Sequence, residues 1–279
     1  MIIGVLHPGE MGQSVCRALQ DSGHDVVWCR AERSAATCHR GEPYRCVDSL
    51  AEMTAAAQGI ISVCPPAESP VVARSVLALG FEGIFVDANA VAPATAQQLS
   101  QMFASRYVDG GIIGPPADQA GTTRLYLSGD QAQAVAGWFS AGDLDARVVG
   151  TEPAQASALK MAYAAYTKGS SALLLAVHAL AGRAGVEDQL WAEWELSQPG
   201  LLRRSEGAAG ATARKAWRFV GEMEEIASTF AAADLPADFH RGALEIYARM
   251  AGFKDADGTI SLADVMAALN RKPGQSSGG

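Results

Sequence analysis

Residues 2–12 read Ile-Ile-Gly-Val-Leu-His-Pro-Gly-Glu-Met-Gly, and this stretch decides the fold of the chain. A short apolar run breaks at a glycine-containing loop, and residues 11–22 then follow a helical pattern. A strand, a glycine turn and a helix N-terminus in this order aim backbone N–H groups at one point, where a dinucleotide pyrophosphate can bind. The residues predicted to bind it are His7, Pro8, Gly9, Glu10, Met11 and Gly12.

This loop departs from the full dinucleotide motif. In a Gly-x-Gly-x-x-Gly frame the motif positions fall on His7, Gly9 and Gly12, so the first glycine is missing. Pro8 also removes one N–H donor from the loop. Residues 25–29 (DVVWC) form a second apolar run one helix later, which completes a β-α-β unit of the size that the dinucleotide fold needs.

The residues after the second predicted strand indicate which cofactor binds. An NAD-binding protein usually places Asp or Glu here, to hold the ribose 2′-hydroxyl. This chain has Arg30, Arg33 and Ser34 instead. Two guanidinium groups and a hydroxyl suit a 2′-phosphate, so the sequence predicts NADP(H) as the cofactor.

The first half of the chain alternates apolar runs with helical patterns. Further strands are predicted at residues 59–64, 83–87, 107–114, 125–128 and 147–149. The alternation is typical of an α/β fold with a Rossmann doubly wound, mostly parallel sheet. Ligands bind beyond the carboxyl ends of such strands, so the loops after Leu6, Cys29, Cys64 and Asp87 should meet at one edge. Cys64, Pro65 and Asn89 are therefore further candidates for cofactor binding.

The pattern changes after Gly150. Residues 153–183 predict one helix of roughly 45 Å, and the strand signal ends. More helices are predicted at residues 187–196, 211–233, 237–250 and 261–270. We therefore expect an NADP-binding Rossmann domain over residues 1–150, a long interdomain helix leading an all-α substrate and dimerisation domain over 151–270, and a flexible tail over 271–279.

Composition narrows the classes of partner. The net charge is −8 and no basic run is present, which argues against nucleic acid. No apolar run is long enough to span a membrane. The five cysteines form no Cys-x-x-Cys pair, and we expect them to be small buried residues of a reduced, cytoplasmic protein. No spacing of His, Cys, Asp and Glu suggests a metal, so the expected ligands are NADP(H) and a small-molecule substrate.

A Rossmann half joined by a long helix to an all-α half resembles the β-hydroxyacid dehydrogenase and 6-phosphogluconate dehydrogenase superfamily, an architecture that imine reductases share. The opening loop resembles the family's Gly-x-Gly-x-Met-Gly, with Gly9, Met11 and Gly12 matching. Residues 107–114 (YVDGGIIG) resemble its substrate motif Asp-Ala-Pro-Val-Ser-Gly, with Ile113 in place of the serine. The C-terminal half resembles a less characterised branch that has a 6-phosphogluconate-dehydrogenase-like C-terminal domain.

The resemblance also implies a catalytic residue. Residues 155–160 (QASALK) resemble the start of the interdomain helix that carries the family's catalytic lysine, and Lys160 occupies that position. The family's asparagine one turn later is Ala164 here. The implied reaction is hydride transfer between a nicotinamide and a small hydroxy or carbonyl compound, with Lys160 as general acid/base.

Other polar residues are assigned by position. Tyr163, at i+3 from Lys160, is a second candidate catalytic group. The candidates for substrate binding are Asp109, Gly110, Gly111, Thr167, Trp217 and His240. We expect His178 to be structural, and Lys168, Glu222 and Glu225 to lie on solvated faces.

Two other functions stay open. Imine reduction on the same scaffold is the first alternative, although imine reductases usually place Asp or Tyr at the position of Lys160, which argues against it. A protein that senses NADP without turnover is the second, because the first glycine is missing and Ala164 replaces the asparagine.

The sequence also predicts a homodimer. One small helical domain cannot cover a helix of roughly 45 Å that is apolar on much of its circumference. The family resemblance, with its interlocked dimer, implies the same. The residues expected to face both their own domain and a partner subunit are Leu173, Leu174, Leu175, Val177 and Leu180.

Overall fold

The structure is a computed structural model that describes residues 1–271. The predicted tail over 271–279 therefore lies, apart from Arg271, outside the described residues. Contacts between Cα atoms divide the chain into a first unit, Met1–Met161, and a second unit that begins at Ala162. The division falls inside the long helix, so the first two turns of that helix pack with the first unit.

The first unit contains one eight-stranded sheet in the order β3-β2-β1-β4-β5-β6-β7-β8. Neighbouring strands are parallel except for β6 and β7, which are antiparallel. The strands are β1 (Ile2–Leu6), β2 (Asp25–Cys29), β3 (Arg45–Val47), β4 (Gly59–Ser62), β5 (Ile84–Asp87), β6 (Tyr107–Ile113), β7 (Thr123–Ser128) and β8 (Leu144–Gly150). The predicted doubly wound, mostly parallel sheet is confirmed.

Helices cover both faces of this sheet. They are α1 (Glu10–Asp21), α2 (Ala35–Gly41), α3 (Leu50–Ala56), α4 (Ser69–Ala78), α5 (Pro93–Phe103) and α6 (Ala132–Ala136). Successive strand residues point to opposite faces, so Ile60 and Phe85 join one core cluster while Ile61 and Val86 join the other. Burial on both faces explains why the strands read as continuous apolar runs.

The second unit is helical. The long helix α7 spans Gln155–Ala184 and crosses from the first unit into the second. It is followed by α8 (Glu187–Ser197), α9 (Leu201–Thr212), α10 (Ala216–Ala232), α11 (Asp238–Met250) and α12 (Leu262–Asn270). No strand occurs between Ala162 and Arg271, as predicted. No helix within residues 1–271 is long and apolar enough to cross a membrane.

Three elements differ from the sequence prediction. Helix α9 was not predicted, because Gly207 and Gly210 weaken the local helix signal. The predicted helix over 211–233 is wrong at its start, since a tight turn over Ala213–Lys215 separates α9 from α10. The short edge strand β3 also escaped prediction, because Arg45 and Cys46 are exposed and give no apolar run.

The cysteines are all free, but they are not all buried. Cys16 and Cys29 lie in the core, as expected. Cys46 is exposed on the edge strand, and Cys38 and Cys64 are partly buried. The expectation of five buried cysteines is therefore wrong for these three, which lie on helix α2, on the edge strand β3 and just after β4.

Candidate functional site

The loops after β1, β4 and β5 are tied together at the carboxyl edge of the sheet. The backbone N–H of His7 donates to the oxygen of Val63 at 3.1 Å. The backbone N–H of Cys64 donates to Oδ1 of Asn89 at 2.5 Å. Three of the loops predicted to meet are thus joined by direct hydrogen bonds.

Gly9 and Gly12 of the first loop differ in how closely other atoms approach them. A Cβ on Gly12 would overlap the backbone oxygen of His7, so close packing of α1 on the loop requires glycine there. A Cβ on Gly9 would meet nothing within 4 Å. Gly9 therefore leaves open space at the N-terminus of α1, where the positive end of the helix favours a phosphate.

His7 presents a buried polar atom to this loop. Its Nδ1 is buried and has no hydrogen-bond partner among the described residues. Burial, and then the nearby charge of Arg33, lower the pKa of His7 to about 4, so the ring is neutral at neutral pH. An unsatisfied buried nitrogen beside a guanidinium suits an oxygen-rich anionic ligand, and a dinucleotide cofactor fits these residues.

The two arginines after β2 have different neighbours. Arg30 forms an ion pair with Asp48, and both side chains are largely exposed. Arg33 donates from Nε to the oxygen of Ala31 at 2.9 Å, and its charge acts on His7. Of the two arginines, Arg33 is thus the one whose charge bears on the first loop. The sequence offered no signal for Asp48 as the partner of Arg30.

The hydroxyl of Ser34 has a local structural role. It accepts a hydrogen bond from the backbone N–H of Thr37 at 3.2 Å and so caps α2. A serine at a helix N-cap is a common sequence signature. Its predicted contact with a 2′-phosphate stays a prediction.

Asn89 holds the loop after β4. Its Oδ1 accepts from Cys64, and its Nδ2 donates to Oδ1 of Asp87 at 2.5 Å and to Oγ of Ser62 at 3.0 Å. The side chain is 3% exposed. This placement of Asn89 differs from the predicted direct contact with the cofactor, because both polar atoms of the amide are hydrogen-bonded to other residues of the protein. Pro65 is exposed at the end of the same loop.

Asp109 is turned into the protein and is 0% exposed. Its carboxylate accepts from the backbone N–H of Ser157 at 2.8 Å, from Oγ of Ser157 at 2.5 Å and from Oγ of Ser128 at 3.2 Å. Burial raises its pKa in spite of these bonds. The carboxylate is thus enclosed by the start of α7, and the predicted substrate contact of Asp109 stays a prediction.

Gly110 and Gly111 permit close packing of β6. A Cβ on Gly110 would lie 3.1 Å from the backbone oxygen of Asp87. A Cβ on Gly111 would lie 2.9 Å from the oxygen of Ala156 and 3.1 Å from Cβ of Lys160. Both glycines are buried and serve close packing, and their predicted contact with substrate stays a prediction.

Lys160 lies on the second turn of α7, above β6. Its Nζ donates to the backbone oxygen of Ile112 at 2.6 Å. The side chain is partly buried, and the whole contact belongs to the unit that contains the first loop. The ammonium group is therefore held at a defined position near the carboxyl half of β6.

The remaining candidates belong to the second unit. Tyr163 is 49% exposed, and the hydroxyl of Thr167 donates back to the oxygen of Tyr163 at 3.1 Å. Trp217 is 42% exposed, and Nζ of Lys254 lies 4.3 Å from the centre of its ring. Their catalytic and substrate-binding roles stay predictions.

Both histidines of the second unit are buried. His240 packs against Phe230, with ring centres 4.1 Å apart, and burial lowers its pKa. These surroundings suit a core residue, and the predicted substrate contact of His240 stays a prediction. His178 is 0% exposed and pairs through Nε2 with Oγ of Ser205 at 2.6 Å. The structural role expected for His178 agrees with this placement.

Lys168 and Glu222 form a buried ion pair, so the prediction that both are solvated is wrong. Nζ of Lys168 lies 2.5 Å from Oε2 of Glu222, and the two side chains are 13% and 10% exposed. Arg218 Nε lies 3.6 Å from the other oxygen of Glu222. Glu225, one turn further along α10, is partly buried. The two charges form a pair although they are far apart in sequence, and helix periodicity does not predict such a pair. Within residues 1–271 no group of three or more His, Cys, Asp and Glu could hold a metal.

Two family models match the chain. Residues 2–136 match the NAD binding domain of 6-phosphogluconate dehydrogenase, and residues 181–250 match a domain of unknown function (DUF1932). An uncharacterized 28.5 kDa protein in the 7S RNA 5′ region of Methanothermus fervidus is 33% identical over 110 residues. That match covers 39% of this chain and 42% of the relative, so the chain aligns with less than half of the relative's length.

Solved structures share the fold over nearly the whole chain. MTH1747, a conserved protein of unknown function reported to resemble 3-hydroxyacid dehydrogenases, is 25% identical, with a TM-score of 0.69 over 91% of this chain and 98% of that one. The 3-hydroxyisobutyrate dehydrogenase of Mycobacterium tuberculosis is 18% identical, with a TM-score of 0.68 over 97% and 99%. A reductive aminase from Aspergillus terreus, in complex with NADPH and ethyl levulinate, is 16% identical, with a TM-score of 0.55 over 96% and 98%. For the last two, the likeness shows the fold alone.

Proposed function

We propose that this chain, in which an NAD-binding domain of the 6-phosphogluconate dehydrogenase kind is followed by a DUF1932 domain, is an NADP(H)-dependent oxidoreductase. The two domains confirm the superfamily that the sequence resembles. The proposed reaction transfers a hydride between the nicotinamide and a small hydroxy or carbonyl compound. The observation that carries the proposal is the position of Lys160, whose Nζ is held 2.6 Å from the oxygen of Ile112 in the cofactor-binding unit.

The cofactor would be held by the first loop and by Arg33. Gly9 leaves space for a pyrophosphate, the neutral ring of His7 offers Nδ1, and Arg33 supplies a positive charge beside it. When bound, the nicotinamide supplies the hydride chemistry. The preference for NADP(H) rests on Arg33, with Arg30 as a second cation that must first release Asp48.

Lys160 would move the proton. An ammonium fixed in place can give a proton to a substrate oxygen during reduction, and a neutral amine can take one from a hydroxyl during oxidation. The partial burial of the side chain limits competition from water for that contact. A guanidinium cannot replace it, because it does not release a proton near neutral pH.

The proposal is tested by turnover. We expect steady NADPH oxidation with one class of a panel of aldehydes, β-keto acids and cyclic imines. Lys160→Ala should lower kcat by about 10²-fold to 10⁴-fold and keep the Kd for NADPH, while Lys160→Arg should not restore kcat. The control is Lys215→Ala, at an exposed turn of the second unit.

Three outcomes separate the candidate functions. Turnover of a carbonyl compound that survives in Lys160→Ala within a few-fold would contradict the role of Lys160 and make Tyr163 the next residue to test. Turnover of cyclic imines alone would favour imine reduction. Tight NADPH binding without turnover of any compound would favour a sensor.

We also propose a homodimer formed through the second unit. Leu173 and Leu180 on α7 are 50% and 68% exposed, and Leu196 on α8 is 81% exposed. Leu174 and Val177 are partly buried, while Leu175 is fully buried within its own unit. Large apolar side chains in such an arrangement gain from a second copy of the chain. A monomeric mass in light scattering at micromolar concentration would contradict this proposal.

A further inference from the structure

The first turn of α7 is capped by side chains from the sheet. The first N–H groups of a helix have no partner within the helix and need one elsewhere. The N–H of Ser157 donates to Oδ2 of Asp109 at 2.8 Å, and the N–H of Ala156 donates to Oγ of Ser128 at 3.0 Å. Asp109 and Ser128 face each other as register partners on β6 and β7. Two adjacent interior strands therefore fix where α7 begins.

The hydroxyl groups complete this cap. Oγ of Ser157 donates to Oδ1 of Asp109 at 2.5 Å, and Oγ of Ser128 donates to Oδ2 at 3.2 Å. All three side chains are 0% exposed. Asp109 thus accepts three hydrogen bonds from two elements. Because the site is buried, loss of one of these bonds would lower the free energy of unfolding.

The same strand then receives Lys160. Ser157 and Lys160 lie at i and i+3 on α7, and their partners Asp109 and Ile112 lie three residues apart on β6. Between these two contacts Gly111 lets the helix approach, since a Cβ there would lie 3.1 Å from Cβ of Lys160. The helix is therefore held against the strand at two points, and the second point is the ammonium group.

We propose that Asp109 is a positioning residue, which fixes the first turns of α7 on β6 and thereby sets where the Lys160 ammonium lies. Ser128 and Ser157 act with it. Asp109 acts on the reaction through Lys160, because its carboxylate is fully buried and bonded to Ser128 and Ser157. The catalytic consequence rests on the proposed function, but the placement of Lys160 can be measured without turnover.

A matched set of variants isolates the cap. Ser157→Ala removes the hydroxyl bond to Asp109 and keeps the backbone bond, while Ser157→Thr keeps a hydroxyl. Asp109→Asn keeps the shape of the side chain and removes its charge. Ser69→Ala is the control, because Oγ of Ser69 makes the same kind of buried bond, at 2.5 Å, to Oδ2 of Asp87 on β5.

The first measurement is the labelling rate of individual lysines by an amine-reactive reagent, read by mass spectrometry of peptides. An amine held at a carbonyl reacts more slowly than one released from it. In Ser157→Ala and Asp109→Asn we expect Lys160 to label about threefold to tenfold faster, the factor that corresponds to losing one hydrogen bond. Ser157→Thr and Ser69→Ala should label Lys160 at the parent rate, and exposed Lys215 should not change in any variant.

The second measurement is kinetic, on a substrate that the parent turns over. Ser157→Ala should lower kcat about tenfold to a hundredfold through misplacement of Lys160, with the Kd for NADPH unchanged. Ser157→Thr should restore most of kcat.

The outcomes separate the inference from the proposed function. Parent-like labelling of Lys160 in a folded Ser157→Ala variant would overturn the positioning role, even if the variant loses as much stability as Ser69→Ala. Faster labelling without turnover of any compound would leave the positioning role standing and count against the proposed reaction. If Asp109→Asn fails to fold, the comparison of Ser157→Ala with Ser157→Thr decides.

Discussion

Asp87 and Asp109 are register partners on the adjacent parallel strands β5 and β6, and both side chains are fully buried. Asp87 accepts from Ser69 and Asn89, and Asp109 accepts from Ser128 and Ser157. Two carboxyl groups at the centre of one sheet are costly, because each raises the energy of the charged form of the other. Hydroxyl and amide groups that donate hydrogen bonds to each of the two carboxyl groups offset this cost.

Stability should depend on pH through Asp87. Burial first, together with nearby Asp109, raises its pKa from 3.8 to about 6. Between about pH 4 and pH 6 the folded protein keeps a proton that the unfolded chain releases, so the free energy of unfolding falls as pH rises through this window. Asparagine does not titrate, so the free energy of unfolding of Asp87→Asn lacks this fall. Relative to the parent it should therefore rise by about 3 kcal/mol between pH 4 and pH 6.

Urea unfolding of parent and Asp87→Asn at several pH values in this window measures the difference. Exposed Asp25→Asn controls for the substitution itself. A difference between parent and Asp87→Asn that stays constant with pH would show that Asp87 does not titrate in this range.

Cofactor choice should depend more on Arg33 than on Arg30. Arg33 lies at the first loop, whereas Arg30 is already paired with Asp48. Arg33→Ala should weaken NADPH binding by about 1.5–3 kcal/mol, the range for a charge-assisted hydrogen bond, and weaken NADH binding by less. Arg30→Ala should cost less. Fluorescence titration of both nucleotides measures these changes, with exposed Arg74→Ala as the control; equal losses for NADPH and NADH would refute the assignment.

The two glycines of the first loop should respond differently to alanine. A Cβ on Gly12 overlaps the backbone oxygen of His7, so Gly12→Ala should lower stability as well as cofactor affinity. A Cβ on Gly9 meets nothing within 4 Å, so Gly9→Ala should fold with nearly the parent Tm. The added methyl group would occupy the space proposed for the pyrophosphate and should abolish tight NADPH binding. Parent-like affinity in Gly9→Ala would place the phosphates elsewhere.

The second unit should depend on its buried ion pair. Lys168→Ala leaves Glu222 buried with Arg218 at 3.6 Å as a weaker partner. We expect a loss of about 3 kcal/mol in the free energy of unfolding, the lower end for breaking a buried pair. The double variant Lys168→Met, Glu222→Gln should lose less than Lys168→Ala, because the charge it leaves unpaired, on Arg218, is half exposed and not buried. A fall in Tm for the double variant as large as for Lys168→Ala would show that packing, and not charge, dominates.

The sequence predicted most of the first unit from local patterns. The apolar runs at 25–29, 59–64 and 83–87 correspond to β2, β4 and β5, with ends shifted by at most two residues. Strand β3 and helix α9 escaped because one is a polar edge strand and the other contains two glycines. In both cases tertiary packing stabilises an element that its own local sequence pattern does not predict.

The functional residues were predicted less completely than the fold. The order of strands and helices located the first loop, and the family resemblance implied Lys160, whose catalytic role stays a prediction. Position in the motif assigned Asn89 and Asp109 to ligands, whereas the structure turns both side chains inward. A polar residue after a strand has the same sequence signal whether it faces a ligand or a neighbouring loop.

By itself the sequence determined the order of elements, the parallel sheet, the long helix and the place of the dinucleotide loop. These follow from apolar periodicity, glycine and proline positions and chain length, which act over a few residues. Only the tertiary structure decided that Asp109 caps α7 through Ser157, 48 residues away, and that Lys168 meets Glu222, 54 residues away. Such pairs depend on the distance between packed elements, a quantity that no local pattern contains.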